Sequence, residues 1–181
     1  MTAYTYTAQK ELKIWVPRRS KTKSTYPGQL DNTVAGGLTT GEVPFECIVR
    51  EAQEEAGLPE DYVRQHVQSV GVISYFHVRD ERAGGETGLL QPEVEYVYDL
   101  ELSEDMIPKP ADDEVEEFYL WSVEEVREAM GRGEFKPNCS LVLIDFMMRR
   151  GMIRPESEKD YLEICCRLHR KFEFPTGGRA G

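Results

Sequence analysis

The sequence is short of cations, of paired cysteines and of long apolar runs. Its 181 residues hold 33 acidic side chains against 22 basic ones, for a net charge of −11. So acidic a chain is a poor match for nucleic acid or an anionic membrane. An anionic substrate is still permitted, because a bound cation reverses the sign of the field locally. The four cysteines (Cys47, Cys139, Cys165, Cys166) form no C-x-x-C pair, and adjacent Cys165 and Cys166 do not resemble a disulfide framework. They read as reduced thiols in a cytoplasmic protein. No apolar run reaches the roughly 18 residues of a membrane span. The first residues lack the charged-then-apolar plan of a signal peptide. There is no internal repeat, no low-complexity segment and no Ser/His/Asp or Cys/His pairing that would mark a nucleophile.

What remains is globular composition, 40% hydrophobic and 30% charged, with length for one ordinary domain and a sizeable core. One domain over 1–181 is expected. Alternation over 4–17 predicts a strand or hairpin arm, with Ile14 and Val16 on one phase and Trp15 on the other. Trp15 is then either core or a ring-stacking wall. A basic loop follows, from Arg18 and Arg19 through Lys23 to Gly28. It is either a solvated loop or the place where Arg18 or Arg19 meets a substrate phosphate. A short strand is expected over 31–35, a helix over 44–56, a helical piece near 59–66 and a strand over 68–79. His77 in that strand reads as structural.

In the next strand, over 92–102, Val94, Tyr96, Tyr98 and Leu100 share one face, and Glu93, Glu95, Val97 and Asp99 the other. Residues 114–121 form another strand, whose acidic entrance offers Glu114 as an extra ligand or base. Ser122 and Glu125 make a capping box for a helix to about Met130. Helices over 139–149 and 157–172 complete the chain, and the tail after Pro175 is expected to be loose. The pattern implies α/β or α+β architecture with a mixed sheet between helices.

The stretch Gly36–Leu58 organises the chemistry. Pro44 suits a first helical position and Gly57 the left-handed residue past a helix end. Phe45, Ile48, Val49, Ala52 and Ala56 form one apolar stripe. Glu51, Glu54 and Glu55 cluster in an arc of about 100° away from the centre of that stripe. Like charges at such spacing repel, so three of them add no helix stability. A hard divalent cation removes the repulsion, and Mg²⁺ takes oxygen ligands of this kind. Arg50, one turn from Glu46 and Glu54, can orient a carboxylate. Gly36, Gly37 and Gly41 permit the close backbone approach that a phosphate-bearing ligand demands. The chemistry implied is metal-assisted hydrolysis, in which a carboxylate takes the proton of the attacking water.

Gly36, Glu42, Arg50, Glu51, Ala52, Glu54, Glu55, Gly57 and Leu58 match the Nudix box position for position, so the chain resembles the Nudix hydrolase family. The resemblance implies an α-β-α sandwich with a mixed β-sheet. It also implies a hydrolase that splits a diphosphate linked to another group X, with Mg²⁺, or Mn²⁺ in its place, as cofactor. On the family's pattern Glu51, Glu54 and Glu55 hold metal, Arg50 holds a carboxylate and Glu42 supports the loop. The base lies among the box glutamates or at Glu114.

The stretches Trp15–Leu38, Pro92–Leu102 and Glu114–Val126 further resemble Nudix proteins related to thiamine pyrophosphokinase, over about residues 10–175. That implies thiamine diphosphate or its damaged oxo and oxy forms as substrate. ADP-ribose or another nucleoside diphosphate derivative is the alternative, with Trp15, Tyr26 or Tyr75 stacking on the ring. A ligand sensor without catalysis is a third reading. Members of this subgroup carry a segment upstream of the Nudix domain, so a short member or a fragment is expected. The partners expected are a small diphosphate and a second copy in a homodimer, with neither nucleic acid nor membrane.

Overall fold

The structure, a computed structural model, describes residues 1–174. The tail after Pro175 lies outside the described residues. Strands β1 (Thr2–Tyr6), β2 (Leu12–Arg19), β3 (Gln68–Val78), β4 (Leu90–Glu101) and β5 (Val115–Ser122) form one sheet in the order β3-β4-β1-β2-β5. β1 runs parallel to β4, and the remaining pairs are antiparallel, so the sheet is mixed, as expected. Helices α1 (Pro44–Ala56) and α2 (Glu60–His66) pack on one face. Helices α3 (Val123–Gly131) and α4 (Pro137–Arg149) pack on the other.

The two faces follow from strand geometry, since successive side chains point opposite ways. Ala3 belongs to the cluster of Ile48, Val49, Ala52 and Leu100, while its neighbour Tyr4 belongs to that of Leu143 and Phe146. Ile14 and Val16 join the second cluster. Trp15, between them, packs against the first. The α-β-α sandwich is therefore written into the alternation of β1 and β2.

Helix α1 begins at Pro44 and ends on Gly57, whose φ of 62° is left-handed. Gly57 N–H donates to Gln53 O at 3.1 Å and Leu58 N–H to Ala52 O at 3.1 Å, which satisfies the last carbonyls. Leu58, 1% exposed, then plugs the core. The carboxylate helix is thus held at both ends and along its apolar stripe.

Two expectations need correction. Residues 31–35 are not a strand. Their polar groups bridge neighbouring strand ends instead: Thr33 Oγ1 accepts from Ala3 N–H at 2.8 Å and donates to Trp15 O at 2.6 Å. The last helix is also shorter than 157–172. Helix α5 spans Tyr161–Leu168, because the chain beyond it leaves helical geometry to bridge His169 to Ser74 on β3. Of Tyr161, Ile164, Cys165, Leu168 and Phe172, which a helix over 157–172 would line up, only Leu168 and Phe172 are buried.

Candidate active site

Gly36 lies directly against the carboxylate helix. A Cβ placed there would stand 2.1 Å from the Glu51 carboxyl carbon. A side chain here would have to displace the Glu51 carboxylate, so glycine leaves that carboxylate where it stands. Ala35 N–H, one residue earlier, donates to Glu55 Oε2 at 3.0 Å. Loop and helix are thereby stitched together through two of the three box glutamates.

Arg50 gathers the carboxylates. It lies 2.8 Å from Glu54, 2.9 Å from Glu51 and 3.1 Å from Glu42. Glu46, also one turn away, is taken instead by Arg64 of α2 at 2.7 Å. Glu42 accepts from Thr39 Oγ1 at 2.6 Å as well. The Thr39 hydroxyl first, and Arg50 second, pull its carboxyl down to about 2. Glu42 therefore anchors Arg50 and the loop.

The box glutamates differ in environment. Burial lifts the Glu51 carboxyl above its usual range, against the pull of Arg50. Burial lifts Glu55 further, to about 8, with Asp31, Glu51 and Glu114 adding to the effect. One arginine thus serves three carboxylates, Glu42, Glu51 and Glu54, while Glu55 has only the Ala35 N–H. Such an oxygen-rich, undercompensated donor set fits a hard divalent cation. Among the described residues, no three His, Cys, Asp or Glu side chains already converge on one point. Arg50 Nη1 engages one oxygen each of Glu51 and Glu54, leaving the second oxygen of each carboxylate for another ligand.

A cavity of about 1010 Å³ opens beside this helix. Gly36, Gly37, Glu51, Glu54, Glu114 and Arg19 line it together. Glu114 forms an ion pair with Lys23, which lines the same space. Glu55 faces a small adjoining crevice shared with Glu114, Arg19 and Asp31.

The basic loop is more committed than its composition implies. Arg19 pairs with buried Asp31 at 2.5 Å and donates to Thr25 O at 2.9 Å. Burial pushes the Asp31 carboxyl up, but Lys136 and Arg19 outweigh it and hold it below the usual range. Arg18 turns away from the cavity to Tyr119 OH at 3.0 Å and Gly28 O at 2.9 Å. Trp15 packs in the core beside Phe118. Tyr26 is buried with its hydroxyl 3.1 Å from His77 Nε2. Tyr75 is also buried, its hydroxyl on Glu93, and it lines a separate cavity with Phe76 and His77.

The cavity also has walls that sequence reasoning missed. Glu93 and Glu95 of β4, and Lys136 and Asn138 at the start of α4, line it. Alternation placed the two glutamates on one face without indicating what covers it. Lys136 and Asn138 carried no motif.

The family model of the NUDIX domain matches residues 2–139. Across 171 residues, 92% of the chain, it is 46% identical to the uncharacterized protein YJR142W of Saccharomyces cerevisiae. Across 159 residues, 87% of the chain, it is 42% identical to Nudix hydrolase 20, chloroplastic, of Arabidopsis thaliana. It spans 50% and 40% of those two proteins' lengths. Among solved structures it resembles DR0079 of Deinococcus radiodurans, with a TM-score of 0.53 and 23% identity over 77% of both chains. It also resembles a C. elegans Ap4A hydrolase binary complex, with a TM-score of 0.56 and 13% identity over 84% of this chain and 95% of that one. Likeness at such identity speaks to fold alone. With the family model covering most of its length and the glycine loop and carboxylate helix in place, the chain belongs to the Nudix family.

Proposed function

We propose that this chain is a Mg²⁺-dependent diphosphate hydrolase acting on thiamine diphosphate or its oxo and oxy analogues, with Mn²⁺ able to substitute. Its products are the monophosphate and inorganic phosphate. The observation that carries the reading is the 1010 Å³ cavity, which joins Glu51 and Glu54 to a second polar wall on β4 and α4. A site for phosphate cleavage alone needs no such depth, whereas a diphosphate joined to a ring system does.

Glu51, Glu54 and Glu55 supply the oxygen ligands. A divalent cation held by these carboxylates would supply positive charge to the diphosphate oxygens and lower the pKa of the attacking water. The chain's own groups do the rest. Gly36 and Gly37 let the diphosphate approach the backbone. Arg50 keeps Glu51 and Glu54 oriented. A carboxylate of the box, or Glu114 on the cavity wall, takes the proton as the water oxygen attacks phosphorus and the bridging P–O bond breaks. Arg19, its guanidinium held by Asp31 and Thr25, and Lys23 line the cavity that Arg18 leaves, and we assign to Lys23 the contact with substrate phosphate. Trp15 supports the sheet rather than the ring.

The thiamine reading rests on the stretches Trp15–Leu38, Pro92–Leu102 and Glu114–Val126. The reduced cysteines suit the cytoplasm, and no described helix is long and apolar enough to cross a membrane. Incubation with Mg²⁺ and thiamine diphosphate, oxythiamine diphosphate, ADP-ribose or nucleoside triphosphates, following phosphate and monophosphate release, tests the proposal. Preferential turnover of the thiamine compounds is expected. Preference for ADP-ribose would replace the substrate, and binding of all without release would make the protein a sensor.

A further inference from the structure

A second cavity, of about 420 Å³, lies between β3, the start of α4 and the chain around α5. Of the described residues that line it, Asn138 alone also lines the cavity beside α1, and none belongs to the Nudix box. Tyr75 and Asn138 partition the two spaces. Both line the second cavity, and both reach Glu95 in the first, at 2.5 and 2.9 Å. The opposite wall is pinned to the sheet. Arg170 N–H donates to Ser74 O at 2.8 Å, and the Ser74 hydroxyl donates to Arg170 O at 2.8 Å. The chain thus leaves α5 after buried Leu168 and holds Arg170 against β3, the edge strand.

The charge here opposes that of the chain. In a protein of net charge −11, residues 167–171 read Arg-Leu-His-Arg-Lys, and Arg167 and Arg170 line the cavity. Among the described residues, no carboxylate pairs with the Arg170 guanidinium. Arg167 commits only its Nε, to Glu163 Oε1 at 2.7 Å, in an exposed pair that contributes little. Helix α4 opens at Pro137 with no side-chain cap, and Pro137 lines the cavity, so the positive end of that helix adds to the same field. His77, on this wall too, is already engaged by the Tyr26 hydroxyl at 3.1 Å. Tyr75, Pro137 and Leu141 add apolar surface.

A cavity of this volume suits a small organic molecule, and a bare anion would leave most of it empty. Two guanidinium forks match the oxygens of a phosphate, whose charge near −2 answers both cations where a carboxylate answers one. We propose that this cavity is a second binding site, separate from the Nudix box, for a phosphate monoester of a small ring compound. Arg167 and Arg170 hold the phosphate, and Tyr75, Pro137 and Leu141 hold the ring. Binding here needs neither metal nor turnover, so the site stands independently of the hydrolase reading.

The test is calorimetry in EDTA with phenyl phosphate, inorganic phosphate and benzoate as probes. Wild type should bind phenyl phosphate at least about tenfold more tightly than either of the others, since only it offers both the dianion and the ring. The Arg167→Ala/Arg170→Ala double variant should weaken phenyl phosphate at least about tenfold. Lys23→Ala, which alters the cavity beside α1, should leave that affinity as in wild type. No binding by wild type, equal affinity for benzoate or for inorganic phosphate, or an unchanged affinity in the double variant overturns the proposal, as does a loss in Lys23→Ala. A second measurement uses wild type alone. On titration with phenyl phosphate, the Leu141 methyl signals in an NMR spectrum should move and the Ile48 methyls, beside α1, should stay. The reverse pattern overturns the proposal even if the double variant fails to fold.

Discussion

Two carboxylate clusters face one cavity, and they are compensated in opposite ways. On α1, Glu51 and Glu54 meet Arg50 at 2.9 and 2.8 Å, and Glu55 meets the Ala35 N–H at 3.0 Å. On β4, Glu93 and Glu95 meet one phenol and one amide, and Lys136 acts on Glu95 only from beyond ion-pair distance. The helix places its glutamates at i, i+3 and i+4, close enough to share an ion. The strand places its pair at i and i+2, side by side across a wall. The same residue type is thus tied to an arginine in one frame and to neutral donors in the other.

Breaking the helix cluster should have the largest effect. Glu54→Gln keeps shape and removes charge, so kcat should fall on the order of 10²- to 10³-fold, the scale of several kcal/mol of lost charge stabilisation. Steady-state phosphate release checks this, with far-UV circular dichroism confirming the fold. Gly36→Ala comes next. Its Cβ would collide with the Glu51 carboxyl, so kcat/KM should fall on the order of 10- to 100-fold, as for other residues that orient ligands. Arg50→Ala should cost about as much, and because it also unties Glu42 it should raise the Mg²⁺ concentration needed for half-maximal rate.

A smaller effect should appear in stability. The Glu55 carboxyl is raised from 4.5 to about 8 in the fold by burial. An acid that holds its proton more tightly when folded stabilises below 4.5, and that stability drains away as pH rises through about 8. In EDTA, melting temperature should therefore fall between pH 6 and pH 8.5, by about 2–4 °C for each kcal/mol lost. Added Mg²⁺ should raise it more at pH 8.5, because a ligating carboxylate must first lose its proton. Glu55→Gln should flatten both trends in differential scanning calorimetry. A Glu95→Gln variant should leave the Mg²⁺ response of melting as it is in wild type, which separates the two clusters.

The helix end of this comparison was legible in the sequence. Pro44, Gly57 and the stripe from Ile48 to Ala56 are local signals, and they set the bounds of α1 to the residue. Arg50's proximity to Glu54 followed from helical spacing. The claim of Arg64 on Glu46 did not, because it comes from packing between α1 and α2. The strand end was only half legible. Alternation put Glu93 and Glu95 on one face, yet only the register with β3 and the arrival of α4 enclose them. Composition marked Arg18, Arg19 and Lys23 as one basic island. Their fates diverge because β2 alternates: Arg18 turns to Tyr119, and Arg19 to Asp31 at the cavity.

On the proposed function, the α1 carboxylates break the diphosphate through a divalent cation. The most direct measurement is phosphate release from thiamine diphosphate during a Mg²⁺ titration, with wild type and Glu54→Gln side by side. Wild type should give stoichiometric monophosphate and phosphate, arrested by EDTA and restored by Mg²⁺, and a folded Glu54→Gln protein should lose nearly all of it. Release that persists in EDTA, or that Glu54→Gln leaves near the wild-type rate, would contradict the proposed function.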